Sequence, residues 1–316
     1  MNDSITIVSA CDRNFLWGAY LLAASAARNI PGVPVHLLQT GLSEPEIGLI
    51  SQFPHVQVLR LQDDDPRSVA NRKAEALLSA ETDYVAWLDA DCFVIGDIRK
   101  YLIPTNGEFQ IRLREPRENG WVWRNHYAPD DKRGELPRAV AERWRADVGQ
   151  LEAPRIQTTC VTNAFVLHRR RLDFIREWKS QIAKVIPPID AGPVDKSSPA
   201  YFMTDESVFT SLLAFSNAAP PIADIRLNRD ATAHVAHFGA NPKPWKRWRK
   251  GVWYCNRHVL ELLDWARASG FSTPPLPWSF RRGNRALAGL LASGEDLCIK
   301  ARAAAANLVR GRRPAL

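Results

Sequence analysis

Residues 83–95 read Asp83-Tyr84-Val85-Ala86-Trp87-Leu88-Asp89-Ala90-Asp91-Cys92-Phe93-Val94-Ile95. An apolar run from Tyr84 to Leu88 stops at two carboxylates one residue apart, and apolar residues resume at once. A short apolar run without alternation reads as a strand of a sheet covered on both faces. The carboxyl end of such a strand is where open α/β sheets bind ligands. In extended chain, residues two apart point to the same side, so Asp89 and Asp91 are expected to converge on one point. Two convergent carboxylates suit a hard divalent cation, and such a cation suits a diphosphate. The bare triplet also reads as a polar turn after a strand, so the rest of the chain has to decide.

Upstream, strand and helix signals alternate. Ile5 to Ser9 is a β-branched run that breaks at Ala10-Cys11-Asp12-Arg13-Asn14, and Phe15 to Ala27 is an Ala/Leu-rich helix. Val33 to Thr40 is a second strand. Ser43 with Glu46 makes a capping box for a helix through Ser51. Val56 to Leu61 is a third strand, followed by the acidic connection Asp63-Asp64-Asp65-Pro66. Ser68 or Asn71 then opens a helix to Ala80, and the Tyr84 strand follows. This alternation predicts an α/β fold with a mostly parallel sheet and helices on both faces. It also places the turn Asp12-Arg13-Asn14-Phe15 on the same sheet edge as Asp89 and Asp91. An Asp, an Asn and an aromatic there suit a nucleobase, and equally an Asx turn capping the next helix.

Composition limits the alternatives. The chain has 316 residues, 46% hydrophobic and 24% charged, which is globular and allows one α/β domain with insertions. No 18-residue apolar span occurs, and Met1-Asn2-Asp3-Ser4 lacks a basic region followed by an apolar core. The expectation is a cytoplasmic protein with no secretory leader and no transmembrane helix. The five cysteines are scattered without C-x-x-C spacing, so reduced thiols are expected rather than a zinc site or a disulfide framework. The net charge of +8 is uneven: residues 280–316 carry eight basic side chains against Glu295 and Asp296. The body is nearly neutral, which argues against a nucleic-acid partner.

Downstream, Glu108 to Leu113 reads as a strand, and residues 114–155 as a long irregular insertion with Trp121, Trp123 and Trp144 as sugar platforms or core filler. Ile156 to Leu167 is an interior strand containing Asn163, Arg171 to Ile186 a helix, and Pro187 to Pro199 a loop. Thr204 is a natural N-cap for a helix whose first turn carries Asp205 and Glu206. Ile222 to Asn228 and Thr232 to Phe238 read as strands. The second leads into His237-Phe238-Gly239-Ala240-Asn241-Pro242-Lys243-Pro244-Trp245, where two prolines fix the loop around Lys243.

Together these pieces resemble glycosyltransferase family 8, the glycogenin-like and bacterial lipopolysaccharide galactosyltransferase-like enzymes of the GT-A fold. The resemblance spans roughly residues 4–250. Asp12, Asn14 and Phe15 match the nucleobase-binding turn, and Asp89-Ala90-Asp91 matches the D-x-D that holds manganese. Thr162-Asn163-Ala164 matches the segment with an Asn near the donor sugar, and Asp205-Glu206 matches the D-Q helix start. His237 through Trp245 matches H-x-x-G-x-x-K-P-W, whose His is the third metal ligand and whose Lys contacts the diphosphate. Arg72 and Lys73 lie where the family carries basic residues near the donor. The departures are Phe165 where the family has Gly, Gly239 one position before the family's Gly, and Glu206 in place of Gln. A carboxylate at Glu206 reads either as a nucleophile or as a helix-terminal acid.

The resemblance implies a retaining, metal-dependent hexosyltransferase. Asp89, Asp91 and His237 would hold Mn2+ or Mg2+ against a nucleotide-sugar diphosphate, with UDP-hexose as the donor. Lys243 would add positive charge, and Asp205, Glu206 and Asn163 would serve the donor sugar or the acceptor. The acceptor would be a glycan or a glycolipid. Residues 1–255 would be the catalytic domain and 256–316 a helical, basic tail. That tail mixes apolar and basic residues at helical spacing, which suits an anionic membrane surface. Three alternatives stand beside this reading: an inverting GT-A transferase, a sugar nucleotidyltransferase, and a non-catalytic sugar-nucleotide-binding protein. The nucleotidyltransferase wants a Gly-rich loop after the first strand, which is absent.

Overall fold

The computed structural model describes residues 4–61, 67–188, 199–225 and 234–309. In chain order the elements are β1 (Ile5–Asp12), α1 (Leu16–Asn29), β2 (Val35–Thr40), α2 (Glu44–Ser51), β3 (Val56–Arg60), α3 (Lys73–Leu77), β4 (Tyr84–Leu88) and β5 (Cys92–Val94). There follow β6 (Phe109–Leu113), α4 (Pro116–Val122), α5 (Arg138–Val148), β7 (Cys160–His168), α6 (Leu172–Val185), α7 (Asp205–Phe215), β8 (Val235–His237), α8 (Asn256–Ala268) and α9 (Arg285–Val309). Six strands form one sheet in the order β3-β2-β1-β4-β7-β6. The first four run parallel, and β7 lies antiparallel between β4 and β6. A separate antiparallel pair joins β5 to β8. The expected α/β class and mostly parallel sheet are the observed ones.

β4 explains why its sequence lacks alternation. Val85 and Trp87 belong to the apolar cluster on one face with Phe165, Trp178 and Phe209. Tyr84, Ala86 and Leu88 belong to the cluster on the other with Ile7, Leu22 and Val166. Successive residues of a strand face opposite sides, and both sides here are dry, so every position is apolar.

Several expectations are corrected. Residues 114–155 contain two helices. Pro116 at the start of α4, with a reciprocal Glu115/Glu118 capping box, nucleates the first; α5 ends on Gly149 in the left-handed conformation. Trp123 and Trp144 are fully buried, whereas Trp121 is 66% exposed. The helix expected from Ser68 or Asn71 to Ala80 is a single 3-10 turn over Val69–Arg72 followed by the short α3. Thr204 does not cap α7 with its side chain; its φ is +47° and its hydroxyl lies 3.3 Å from Asp205 Oδ1. Of the strand expected over Ile222 to Asn228, the described part makes one bridge, Ala223 to Gln110, on the β6 edge. The acidic run Asp63-Asp64-Asp65-Pro66, most of the Pro187 to Pro199 loop, and residues 226–233 lie outside the described residues.

α8 packs Val259, Leu262 and Leu263 into the cluster that holds Tyr20 and Leu21 of α1. α9 turns Ala288 and Ala292 inward and leaves Leu287, Leu290, Leu291 and Leu297 exposed. Its Glu295 pairs with Arg247 at 2.9 Å and Arg249 at 2.7 Å, tying the inner face to the body. No described helix is long and apolar enough to cross a membrane.

Candidate functional site

The site is built on the carboxyl end of β4. Asp89 N–H donates to the Asn163 carbonyl at 2.9 Å, continuing the ladder with β7 for one residue. The chain then turns: Cys92 N–H donates to the Asp89 carbonyl at 2.8 Å. Asp89 and Asp91 therefore converge through a tight turn, not through the extended geometry that spacing alone suggests. Beyond the turn, β5 pairs with β8 so that Cys92 lies opposite His237. Phe238 N–H donates to the Asp91 carbonyl at 2.9 Å, closing the join.

Two glycines permit this packing. A Cβ on Gly18 of α1 would lie 2.5 Å from the Ala90 carbonyl oxygen and 2.9 Å from the Trp245 ring. A Cβ on Gly239 would lie 2.7 Å from His237 Cε1. The Gly one position earlier than in the resembled motif is thus the residue that lets the loop fold over the imidazole.

One carboxylate oxygen from each of Asp89 and Asp91 and one imidazole nitrogen of His237 all lie within 4.8 Å of one another. His237 Nε2 is 3.3 Å from Asp91 Oδ1 and 3.9 Å from Asp89 Oδ2. Lys243 Nζ lies 2.6 Å from Asp91 Oδ2 and donates to the Phe238 carbonyl at 2.8 Å. Lys73 Nζ bridges Asp89 Oδ1 at 2.8 Å and Asp205 Oδ2 at 3.1 Å. Two carboxylates and an imidazole at this separation fit a divalent cation such as Mn2+ or Mg2+ in donor type.

The electrostatics follow from burial and pairing. Burial raises the Asp91 pKa, but His237 and Lys243 outweigh it and hold the carboxyl well below its usual value. Burial opposes charge on His237, and the Asp91 carboxylate outweighs that, so the imidazole lies above its usual pKa. Lys73 loses to burial less than it gains from Asp205 and Asp89, so it stays charged. Asp205 goes the other way. Burial dominates there, with repulsion from Asp89 and Glu206, and lifts it above the ordinary range despite Lys73.

Most of the residues singled out from sequence meet here, with distinct placements. Of the basic pair, Lys73 enters the carboxylate cluster, whereas Arg72 pairs with Glu75 at 3.0 Å. Asp12 Oδ1 accepts from Asn14 N–H at 2.8 Å, the Asx turn foreseen as one reading. Phe15 reaches the site: its ring packs edge-on to Trp245 at 5.9 Å, and Lys243 Nζ lies 5.4 Å from its centroid. Asn163 supports Asp89 through its backbone, and its side-chain Nδ2 is buried without a hydrogen-bond partner among the described residues. Glu206 faces Arg114, with 2.7 Å between Oε1 and Nη1.

Three contributors were not legible. Arg114 neutralises Glu206. Thr162 donates to Asp205 Oδ2 at 3.0 Å and lies 3.3 Å from Lys73 Nζ. Trp87 Nε1 donates to Asp89 Oδ1 at 2.7 Å. Trp87, two residues before Asp89, and Thr162, next to Asn163, had a local signal, whereas Arg114 had none. A cleft of about 710 Å3 lies elsewhere, between β6 and α7, lined by Ile111, Leu113, Leu213 and Pro221; Arg114, also in its lining, pairs with Glu206.

No family model matches the chain, and no curated protein matches it. Solved structures do. The galactosyltransferase LgtC in complex with donor and acceptor sugar analogs is similar over 86% of this chain and 98% of its own, at 14% identity and a TM-score of 0.53. The glycosyltransferase GlyE of Streptococcus pneumoniae TIGR4 is similar over 86% and 65%, at 11% identity and 0.51. The bifunctional glycosyltransferase WbbM is similar over 78% of this chain, at 14% identity and 0.50, and this chain spans about half (48%) of its length. At such identities the likeness is one of fold: the chain has the GT-A glycosyltransferase fold.

Proposed function

We propose that the chain is a metal-dependent, retaining glycosyltransferase of the family 8 type, moving a hexose from a UDP-sugar to a glycan or lipid-linked acceptor. The observation that carries this reading is the cluster of Asp89, Asp91 and His237, with Lys243 against Asp91, on the ligand-binding edge of a glycosyltransferase fold. A nucleotide sugar leaves as a diphosphate, so negative charge grows on the leaving oxygen while the sugar gains oxocarbenium character. Asp89, Asp91 and His237 would hold the cation, which as a Lewis acid offsets that charge. Lys243 supplies a second, fixed positive charge at the same place. Phe15 and the Asp12–Asn14 turn would take the base, a reading supported by the contact of Phe15 with Trp245 and Lys243. Asn163, whose Nδ2 is buried with no hydrogen-bond partner among the described residues, would meet a donor-sugar hydroxyl.

The pairing of Glu206 with Arg114 supports a positioning role for Glu206. A carboxylate neutralised at 2.7 Å is a poor nucleophile, and same-face attack by the acceptor hydroxyl needs none. Asp205, whose pKa burial raises above the ordinary range, is suited to hold hydroxyls of donor or acceptor. The outward leucines of α9 and the basic residues before and within it suit peripheral attachment to the inner, anionic face of a membrane.

The test is nucleoside diphosphate release across a panel of sugar nucleotides, with and without Mn2+, with product anomers read by NMR. Release from a UDP-hexose that requires Mn2+ and yields the donor's own anomer is expected. An inverted anomer would replace the retaining reading, and binding without turnover of any donor and acceptor would leave a non-catalytic sugar-nucleotide-binding protein.

A further inference from the structure

Both acids of the candidate metal site are already paired with ammonium groups that are largely buried. Lys73 is 7% exposed. It holds Asp89 and Asp205 together, and its Nζ lies 5.5 Å from the centre of the Trp87 ring. Lys243 is 11% exposed, between two prolines, and is held by the Phe238 carbonyl as well as Asp91. Asp89, Asp91 and Asp205 with Lys73 and Lys243 sum to a formal charge of −1. A divalent cation arriving alone therefore meets a single net negative charge, and two ammonium groups stand within hydrogen-bond distance of its own ligands. Repulsion between partly buried charges is poorly screened by solvent or salt. A diphosphate reverses the balance, because its oxygens offer negative charge to the cation and to Lys243 at once.

We propose that Lys73 and Lys243 make metal binding conditional on a nucleoside diphosphate. They weaken the affinity of Asp89, Asp91 and His237 for a free divalent cation, and the bound diphosphate lifts that penalty. The inference rests on the sugar-nucleotide reading above and deepens it by assigning the order in which the site fills. Lys243, on the loop after β8, exchanges Asp91 for the phosphates. Lys73 stays, holding Asp89 toward Asp205. Linkage makes the effect reciprocal, so the cation tightens diphosphate binding by the same factor.

Mn2+ binding to the full chain, followed by the EPR signal of free Mn2+, tests this. Titrations are run alone, with UDP and with GDP, each corrected by a protein-free titration. The wild type is expected to bind Mn2+ at least tenfold more tightly with a nucleoside diphosphate. Lys243→Met is expected to bind Mn2+ alone at least tenfold more tightly than the wild type and to lose most of the coupling, whereas Lys243→Arg keeps it. Lys243→Gln repeats the measurement if circular dichroism finds the Met variant unfolded. Equal wild-type affinity with and without nucleotide, or unchanged affinity for Mn2+ alone in the neutral variants, overturns the inference and leaves the sugar-nucleotide reading standing. No Mn2+ binding with either nucleotide present removes both.

Discussion

Asp91 and Asp205 are both buried carboxyls of one cluster, yet the surroundings push their acidities apart. Asp91 lies 2.6 Å from Lys243 and 3.3 Å from His237, whose imidazole is farther, 3.9 Å, from Asp89. Asp205 shares Lys73 with Asp89 and has Glu206 as its chain neighbour. That separation divides the labour, with Asp91 always ready as an anionic ligand and Asp205 better suited to hydrogen-bonding hydroxyls. Asp89 holds the two halves together, touching Lys73, Trp87 and the His237 side of the site. Asp89→Asn is expected to lower metal-dependent transfer on the order of 100-fold or more. The fold should persist, because Lys73 keeps Asp205. Activity with Mn2+ alongside a circular dichroism melt checks both parts. At this scale the residues that carry formal charge in named patterns were legible: Asp89, Asp91, His237, Lys243. Arg114 and Thr162 were not, because nothing local links them to Glu206 and Asp205; only the β6–β7 pairing and the packing of α7 bring them together.

β4 was read correctly to its end residues, because a strand buried on both faces has no choice but to be apolar throughout. The helices α4 and α5 were missed. They lie in charged, Trp- and Pro-rich sequence whose apolar positions are few, and their order comes from tertiary ties such as Asn119 to Gly134 and Thr159. The least obvious element-level contact is that of α1 with the Asp89–Asp91 turn. Gly18 is unremarkable in an Ala/Leu-rich helix, yet it is where helix, turn carbonyl and Trp245 meet. Gly18→Ala is expected to destabilise the protein by roughly 1–3 kcal/mol, although alanine is the better helix former. It should weaken Mn2+ binding as well, since relief requires the turn to move. A denaturant midpoint that rises, or metal binding that is unchanged, would contradict this.

Across the whole molecule, α9 is anchored on one side and apolar on the other. Its inner face is fixed by Ala288, Ala292 and the Glu295 pairs, and its outer face presents four leucines to solvent. Exposed leucines on one stripe are unusual for a face that meets only water. Co-flotation of the full chain with liposomes containing anionic lipid is expected, and Leu287→Glu with Leu290→Glu should abolish it. No co-flotation, or co-flotation that survives the glutamates, would count against α9 as a membrane-facing element. The basic residues after Val309 were legible as a cluster but lie outside the described residues.

The join of β5 to β8 has a consequence for how the molecule comes into being. Lys243 and Asp91 are 152 residues apart in the chain, and His237 arrives with Lys243. Contacts so distant in sequence cost closure entropy before they repay it and tend to form late. A nascent chain can therefore complete β1 to β4, with Lys73 already at hand for Asp89, while Asp91 still lacks His237 and Lys243. In refolding, recovery of tryptophan fluorescence should precede the return of Mn2+ capture, and the interval between them would time the last stitch of the fold.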